Sequence, residues 1–462
     1  MRKTFPPRGN PNNPIELPYD AEWADPDRLG PSWTYRDGAA LLGRWGERLI
    51  GRIDDRHIIT IAGSRAGKSQ TVLIPNLKSY TGSAVVIDPK GELTETTARH
   101  RRALGQKVFI LDPLDELARR GSQMRGSSFN PFDELLACDP QYQYGEAAAL
   151  AESLIVNEGK DPHWPNSARK ILHAVILHLL SGEASQPATL GTLTRFFAST
   201  RMQQDFFERM IVSQAFDGFP ADVATTALAR LRAGGTEYGS IMSTGDTQLA
   251  PLRDIDRISK SSDFALRDLR GGMTLYLVLP ATKLGVHFRW LRLVINMALA
   301  AMERNPASRE AKPVWFILEE FAALGQMRSI EMAAGYMAGY GVKLWVILQD
   351  LTQLKTHYPQ SWETFLGNAG IIQAFGNVDA TTTEYLAKML GQTTIMERQS
   401  TRLTSRLMQE GDTGIKENPR HLQLLDASEI TYYFARETGR QLILCSGRPP
   451  IYLQRLSIGE VR

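Results

Sequence analysis

The stretch His57-Ile58-Ile59-Thr60-Ile61-Ala62-Gly63-Ser64-Arg65-Ala66-Gly67-Lys68-Ser69-Gln70 decides the fold. Its first five residues read as a short apolar strand, the next six as a Gly-containing loop, and the stretch from Lys68 as a helix. Strand, loop and helix in that order are the context a P-loop requires. Gly63 and Gly67 let the backbone turn tightly, so that successive N–H groups point inward at phosphate oxygens. The helix adds its positive dipole end. Lys68 is placed to bridge the terminal phosphates, and the Ser69 hydroxyl to ligate Mg²⁺. Ala62 stands where the motif usually opens with Gly, a position ahead of the tightest part of the turn. Residues Gly63 to Gln70 are therefore the expected cradle for ATP and Mg²⁺.

Outward from this loop, strands recur at Ala84–Ile87, Lys107–Leu111, Met273–Leu279, Val314–Leu318, Val342–Leu348, Ile371–Phe375 and Gln441–Leu444. Helical stretches separate the early ones, which indicates a mostly parallel sheet with helices on both faces. From about 140 to 250 no strand-like run interrupts the helical segments Ala147–Val156, Ser167–Leu180, Leu190–Phe197, Gln203–Ser213 and Ala221–Leu231. The expected class is α/β, a RecA-like P-loop NTPase with an inserted all-α domain. The expected division is an extended arm over 1–40, nucleotide-binding domain over 41–139 and 251–462, and the insertion over 140–250. The arm is rich in Pro, Asn, Asp and Gly. The polar stretch from Thr393 to Arg420 reads as a mobile surface loop.

A chain of 462 residues exceeds one core. The net charge of +3 permits nucleic-acid contact without arguing for it. Cys138 and Cys445 are too few for a disulfide framework and lack metal-ligand spacing, which suits a reducing, cytoplasmic setting. No run approaches the ~18 apolar residues of a membrane span, and no signal peptide is visible.

The second chemical signal is Val314-Trp-Phe-Ile-Leu318 running into Glu319 and Glu320. A strand tip carrying two acids is what a Walker B position needs, one acid near the metal and the next near the attacking water. Glu319 takes the metal side, where Asp is more usual, and Glu320 polarises the water. Gln349 closes the next strand, at the edge where a parallel sheet binds its ligands, and an amide there can sense the γ-phosphate. Asp88-Pro89-Lys90-Gly91-Glu92 follows a strand tip and suits either a nucleotide-adjacent role or a turn. Asn166 or Ser167 is a candidate helix cap, and Trp164 reads as packing. His173 and His178 share no helical face, which argues against a metal site. Arg99, Arg101, Arg102, Arg119, Arg120 and Arg125 form a basic run that suits either phosphate tracking or a solvated surface.

These motifs together resemble the TraG/TraD-type coupling proteins of conjugative type IV secretion, hexameric motors related to the FtsK and HerA translocases. The resemblance rests on Leu41-Leu42-Gly43-Arg44-Trp45, the P-loop, Val86 to Leu93, Phe129-Asn130-Pro131-Phe132, Leu318 to Gly325, Ala338-Gly339-Tyr340-Gly341, Gln349 to Leu354, Thr381 to Gly391 and Gly447-Arg448-Pro449-Pro450. It covers most of residues 40 to 455. It implies a homo-hexameric ring that binds DNA or a relaxase–DNA complex and uses ATP to couple it to export through channel components. By the same resemblance Lys68 and Ser69 hold Mg-ATP, Glu319 and Glu320 form Walker B, Gln349 senses nucleotide, and the helical domain receives substrate. Two departures stand out. The arm takes the place of the family's transmembrane helices, so recruitment to the inner face of the membrane would run through partners. Ala338 lies near a position where some relatives carry an arginine, which leaves no arginine finger to name. Two rival readings follow: a translocase of the same motor class working without a channel, and a weakly hydrolysing nucleotide-binding receptor or adaptor.

Overall fold

The computed structural model describes residues 20–157, 161–308, 310–400 and 415–457. Thirteen strands are found among them: β1 Ala40–Trp45, β2 Arg48–Arg52, β3 His57–Ala62, β4 Ala84–Asp88, β5 Lys107–Leu111, β6 Met273–Val278, β7 Val314–Leu318, β8 Val342–Leu348, β9 Ala369–Phe375, β10 Gln392–Ser400, β11 Ile415–Gln423, β12 Arg440–Cys445 and β13 Ile451–Gln454. All the strands expected from apolar runs are present, within two residues at either end. Contacts divide the chain into two compact units, one comprising Met1–Tyr80 with Ile347–Arg462 and the other Thr81–Val346.

In the first unit the strand order is β2-β1-β13-β12-β9-β3. Only β3 and β9 run parallel; β12, β13, β1 and β2 add antiparallel neighbours to that pair. The fully buried β3 is rich in β-branched residues, as a strand covered on both faces must be. β1 escaped the sequence reading because Gly43 interrupts it. The structure explains the glycine: a Cβ there would lie 2.5 Å from both the Gln454 carbonyl and the Gln441 amide. The stretch 1–40, expected to be an extended arm, is described only from residue 20. From there it is tied down: Ala21 N–H donates to the Gln392 carbonyl at 2.8 Å and Ala24 N–H to the Pro450 carbonyl at 2.9 Å. Trp23 packs on the cluster of Leu386, Leu390, Leu424, Ile430 and Phe434.

The expected loop over Thr393–Arg420 is corrected at both ends. β10 and β11 form an antiparallel ribbon in register from Gln392↔Gln423 to Ser400↔Ile415, while residues 401–414 lie outside the described set. Polar residues hid the ribbon, since its sequence lacks the apolar alternation that marks a half-buried strand.

In the second unit the order is β8-β7-β4-β6-β5, all parallel. β4, β6 and β7 are buried throughout, matching their unbroken apolar runs. Helices fill the stretch expected to be all-α, chief among them Pro140–Leu154, His163–Leu180, Phe219–Ala233 and Thr236–Leu249. They group by contact with these five strands. The helix expected to be capped by Asn166 or Ser167 instead starts at His163, whose N–H donates to the Asp161 carboxylate at 2.9 Å. Proline at its third position needs no N–H partner there, which lets the helix begin a turn earlier.

Candidate functional site

The phosphate loop grows out of the parallel pair β3/β9, where Ala62 lies opposite Phe375. Each strand is followed by a glycine, and the two glycines meet. A Cβ on Gly63 would sit 1.9 Å from the Gly376 carbonyl oxygen, a contact that only glycine permits. Gly376 has φ +65°, and a Cβ on it would lie 2.7 Å from that of Ala66. Gly63 is therefore required by close approach to β9. The left-handed positions in the loop are Arg65 and Gly67, with φ 56° and 90°. Alternating right- and left-handed residues turn consecutive N–H groups to one side, forming an anion nest. The loop is braced from within: Ala66 N–H donates to the Gly63 carbonyl at 3.1 Å, and Thr71 donates to the Gly67 carbonyl through N–H at 2.8 Å and hydroxyl at 2.9 Å.

Helical structure follows directly, with a wide π-type turn over Ser69–Leu73 before the α-helix Ile74–Ser79. Ser64 and Arg65 are exposed, Gly67, Lys68 and Gln70 half-buried, Ala66 and Ser69 buried. The residue types thus fit a polyphosphate: a loop turned by left-handed Arg65 and Gly67, followed by a lysine and a serine where the helical structure opens. Gln349, the residue after β8, is half-buried in the same unit. Its N–H donates to the Gln353 side chain at 2.9 Å, and its carbonyl accepts from the Asn377 amide at 3.3 Å. Asn377 follows Gly376, so the structure gathers Gln349, Asn377, Gly376 and Gly63 around the loop.

The carboxylate pair belongs to the second unit. β7 is buried from Val314 to Leu318, Glu319 is only 5% exposed, and Glu320 is half-buried. Glu320 has φ 60°, an uncommon conformation for a non-glycine residue, and its carbonyl accepts from Ala323 N–H at 2.9 Å. Such backbone strain persists only where surrounding structure holds it; here the buried strand on one side and the turn Phe321–Leu324 on the other do so.

β4 lies beside β7 with Ile87 opposite Leu318, so Asp88 emerges next to Glu319 along that edge. Asp88 is fully buried, and its carboxylate accepts from Thr94 N–H and hydroxyl, both at 2.7 Å. Burial pushes its carboxyl above the usual range, against the opposing pull of the Thr94 bonds. This settles Asp88 as the residue that fastens the start of the helix Glu92–Ala103. Gly91 (φ +69°) supplies the turn, Lys90 is exposed and Glu92 half-buried.

Other candidates resolve differently. Arg101 leaves the expected basic surface altogether: it is fully buried, with Nε donating to the Thr274 hydroxyl at 2.9 Å and Nη2 to the Gly82 carbonyl. Arg120 pairs with Glu95 and Arg119 with Glu116, while Arg99, Arg102 and Arg125 are exposed. His173 hydrogen-bonds the Tyr144 carbonyl at 3.0 Å, and burial lowers its pKa. Among the described residues no group of three His, Cys, Asp or Glu could hold a metal ion, and no helix is long and apolar enough to cross a membrane. The sequence reading missed Gly376, Asn377 and Arg455, whose place at the loop depends on strand pairing; a glycine directly after an apolar strand was the one local hint.

Residues 20–457 match the family model for type IV secretory system conjugative DNA transfer. The chain is 28% identical over 424 residues to VirD4 of Agrobacterium fabrum, covering 89% of this chain and 60% of that protein. It is 28% identical over 428 residues to a conjugal transfer protein TraG of Escherichia coli, covering 86% of this chain and 66% of the relative. The chain thus spans about three fifths of the length of the VirD4 proteins it matches. Among solved structures it is similar to the plasmid coupling protein TrwB in complex with a non-hydrolysable ATP analogue, at TM-score 0.63 and 14% identity over 95% of this chain and 94% of that one. TrwB with ADP and Mg²⁺ matches at TM-score 0.57 and 15% identity, over 87% of this chain and 85% of that one. That likeness is one of fold: a P-loop NTPase with a large, mostly parallel sheet and helices on both sides.

Proposed function

From membership of the type IV secretory system conjugative DNA transfer family, to which this chain belongs, we propose that it is an ATP-driven coupling protein, linking DNA or a relaxase–DNA complex to a secretion channel. One observation carries the reading. A single family match runs over the phosphate loop, the Glu319–Glu320 strand end and Gln349, so all the residues expected to do chemistry lie within it.

The roles follow from the chemistry of the side chains. The loop backbone and the Lys68 ammonium would offset phosphate charge; the Ser69 hydroxyl is a candidate Mg²⁺ ligand, and the Glu319 carboxylate a candidate to hold Mg²⁺ through water. Bound Mg²⁺ would supply Lewis-acid polarisation of the terminal phosphate. Glu320 takes a proton from the attacking water, and Gln349 reads the presence of the γ-phosphate. Crystal structures of TrwB with an ATP analogue, and with ADP and Mg²⁺, support ATP and Mg²⁺ as the ligands here. The partners proposed are DNA, a relaxase, channel components and further copies of the chain in a homo-hexamer, at the inner face of the cell membrane.

ATP hydrolysis by the purified chain, with and without single- and double-stranded DNA, tests this reading. DNA-stimulated turnover that disappears in Lys68→Ala is the expected result. Turnover under DNA that is no higher than in Glu320→Gln sinks the motor. A second reading, a receptor that binds nucleotide and hydrolyses it poorly, is favoured by Glu319, one methylene longer than the usual Asp. It predicts ADP and ATP binding with turnover indifferent to DNA.

A further inference from the structure

Arg455, the residue after β13, reaches the phosphate loop from the C-terminal end of the chain. Its Nη1 donates to the Ala66 carbonyl and its Nη2 to the Arg436 carbonyl. The guanidinium lies over the Phe375 ring, 4.6 Å from its centroid. Its own N–H donates to the Gly439 carbonyl at 2.7 Å, which fixes where the side chain starts. Both carbonyl partners are neutral, burial lowers the pKa of Arg455, and its Nε is buried without a hydrogen-bond partner. The half-buried guanidinium is hydrogen-bonded by carbonyls and faced by a ring, with Glu437 acting on it only through space, so part of its field remains for whatever else is near.

What is near is the loop. The Ala66–Gly67 peptide is planar, so its carbonyl and its N–H point in opposite directions. By holding the Ala66 carbonyl on the Phe375 side, Arg455 turns the Gly67 N–H the other way. Gly67, at φ +90°, has the freedom to be turned, and Arg455 Nη1 comes within 3.8 Å of where a Gly67 Cβ would be. A peptide flip at this bond would replace an inward donor with an inward carbonyl, which repels phosphate.

We propose that Arg455 is a positioning residue for polyphosphate: it locks the Ala66–Gly67 peptide in the orientation that binds anions and adds a positive charge to the loop besides that of Lys68. The assignment rests on the reading of residues 63–70 as the nucleotide loop. It also ties nucleotide binding to β12 and β13, since Arg440 lies opposite Gln454 in their hairpin. Disturbance of that hairpin would then reach the phosphates through one side chain.

The test is titration of ADP and of inorganic pyrophosphate into the full chain, its Arg455→Ala and Arg455→Lys variants and Lys68→Ala. Thermal unfolding of each protein without ligand accompanies the titrations. The expected result is a loss of about tenfold or more in affinity for both ligands in Arg455→Ala, with the ligand-free melting temperature changed little. Arg455→Lys should recover part of the charge effect but not the two-carbonyl grip. Millimolar guanidinium added to Arg455→Ala should recover binding, a response that a merely packing role would not give. Unchanged affinity in Arg455→Ala, beside weakened binding in Lys68→Ala, overturns the inference and leaves the nucleotide loop standing. Affinity loss that only tracks a lowered melting temperature, with no rescue by guanidinium, also overturns it. If the unaltered chain binds neither ligand, the loop reading fails and this inference falls with it.

Discussion

Gly63 and Glu320 are two backbone positions whose side-chain identity is decided by opposite constraints. Gly63 has no room for a Cβ, because the obstacle 1.9 Å away is the carbonyl of Gly376 and not a movable side chain. Gly63→Ala should therefore push β3 and β9 apart at their ends, destabilising by about 1–3 kcal/mol and weakening ADP binding, both readable by melting with and without ADP. Glu320 has room but an unfavourable φ of 60°, so its presence there is better explained by chemistry than by conformation. Glu320→Gln should keep nucleotide affinity while lowering the hydrolysis rate by about 10²–10⁴-fold, the usual worth of a positioned base. A single-turnover measurement separates the two quantities; equal loss of binding and rate would make Glu320 structural.

At the scale of elements, the helix Glu92–Ala103 is fastened at both ends by buried charge, and each end makes its own prediction. Arg101 fills space and holds Thr274 and the Gly82 carbonyl. Arg101→Ala should cost about 2–5 kcal/mol through a cavity and unsatisfied acceptors, measured by urea unfolding. At the other end, burial raises the Asp88 carboxyl. A group whose folded pKa lies above its unfolded value adds stability fully present below the unfolded pKa and lost as pH rises through the folded one. Stability should therefore gain from Asp88 as pH falls from neutrality toward ~4, the ordinary Asp range. Asp88→Asn keeps an oxygen for Thr94 and removes the titration, so the stability of the unaltered chain relative to the variant, read from urea midpoints, should rise as pH falls from 7 toward ~4. A difference between the two that stays constant with pH would mean that Asp88 titrates normally.

At the scale of the molecule, the proposed hexamer would make the proposed activity a property of assembly. DNA-stimulated hydrolysis per chain should rise with protein concentration and level off where sedimentation shows the larger species. Turnover independent of concentration, from a species that sediments as one chain, would remove the ring from the proposal. The exposed Arg99, Arg102 and Arg125 are then the part of the expected basic run that remains available to phosphates. Their joint replacement by Gln should lower DNA affinity and flatten its salt dependence if they touch the backbone, and leave ADP binding unaltered.

The apolar runs of β3 to β9 and β12, the loop from Gly63 to Gln70 and the acids after β7 were legible in the sequence, because a strand covered on both faces and an anion nest each demand particular residue types in consecutive positions. β1 and the ribbon of β10 and β11 were not: the glycine in β1 is explained only by its fit against Gln441 and Gln454, far away in sequence, and the ribbon's polar residues lack the alternation that marks a half-buried strand. The same holds for the residues around the loop. Gly376 meets Gly63 because β9 pairs with β3, and Arg455 grips Ala66 because β13 ends beside Gly439. Arg101, one arginine in a run of several, is internal only because the loop at Gly82 and β6 surround it. Local order along the chain therefore determined which chemistry is present. The tertiary structure alone decided which distant residues brace it, because close approach and burial are properties of pairs that the chain brings together only by folding.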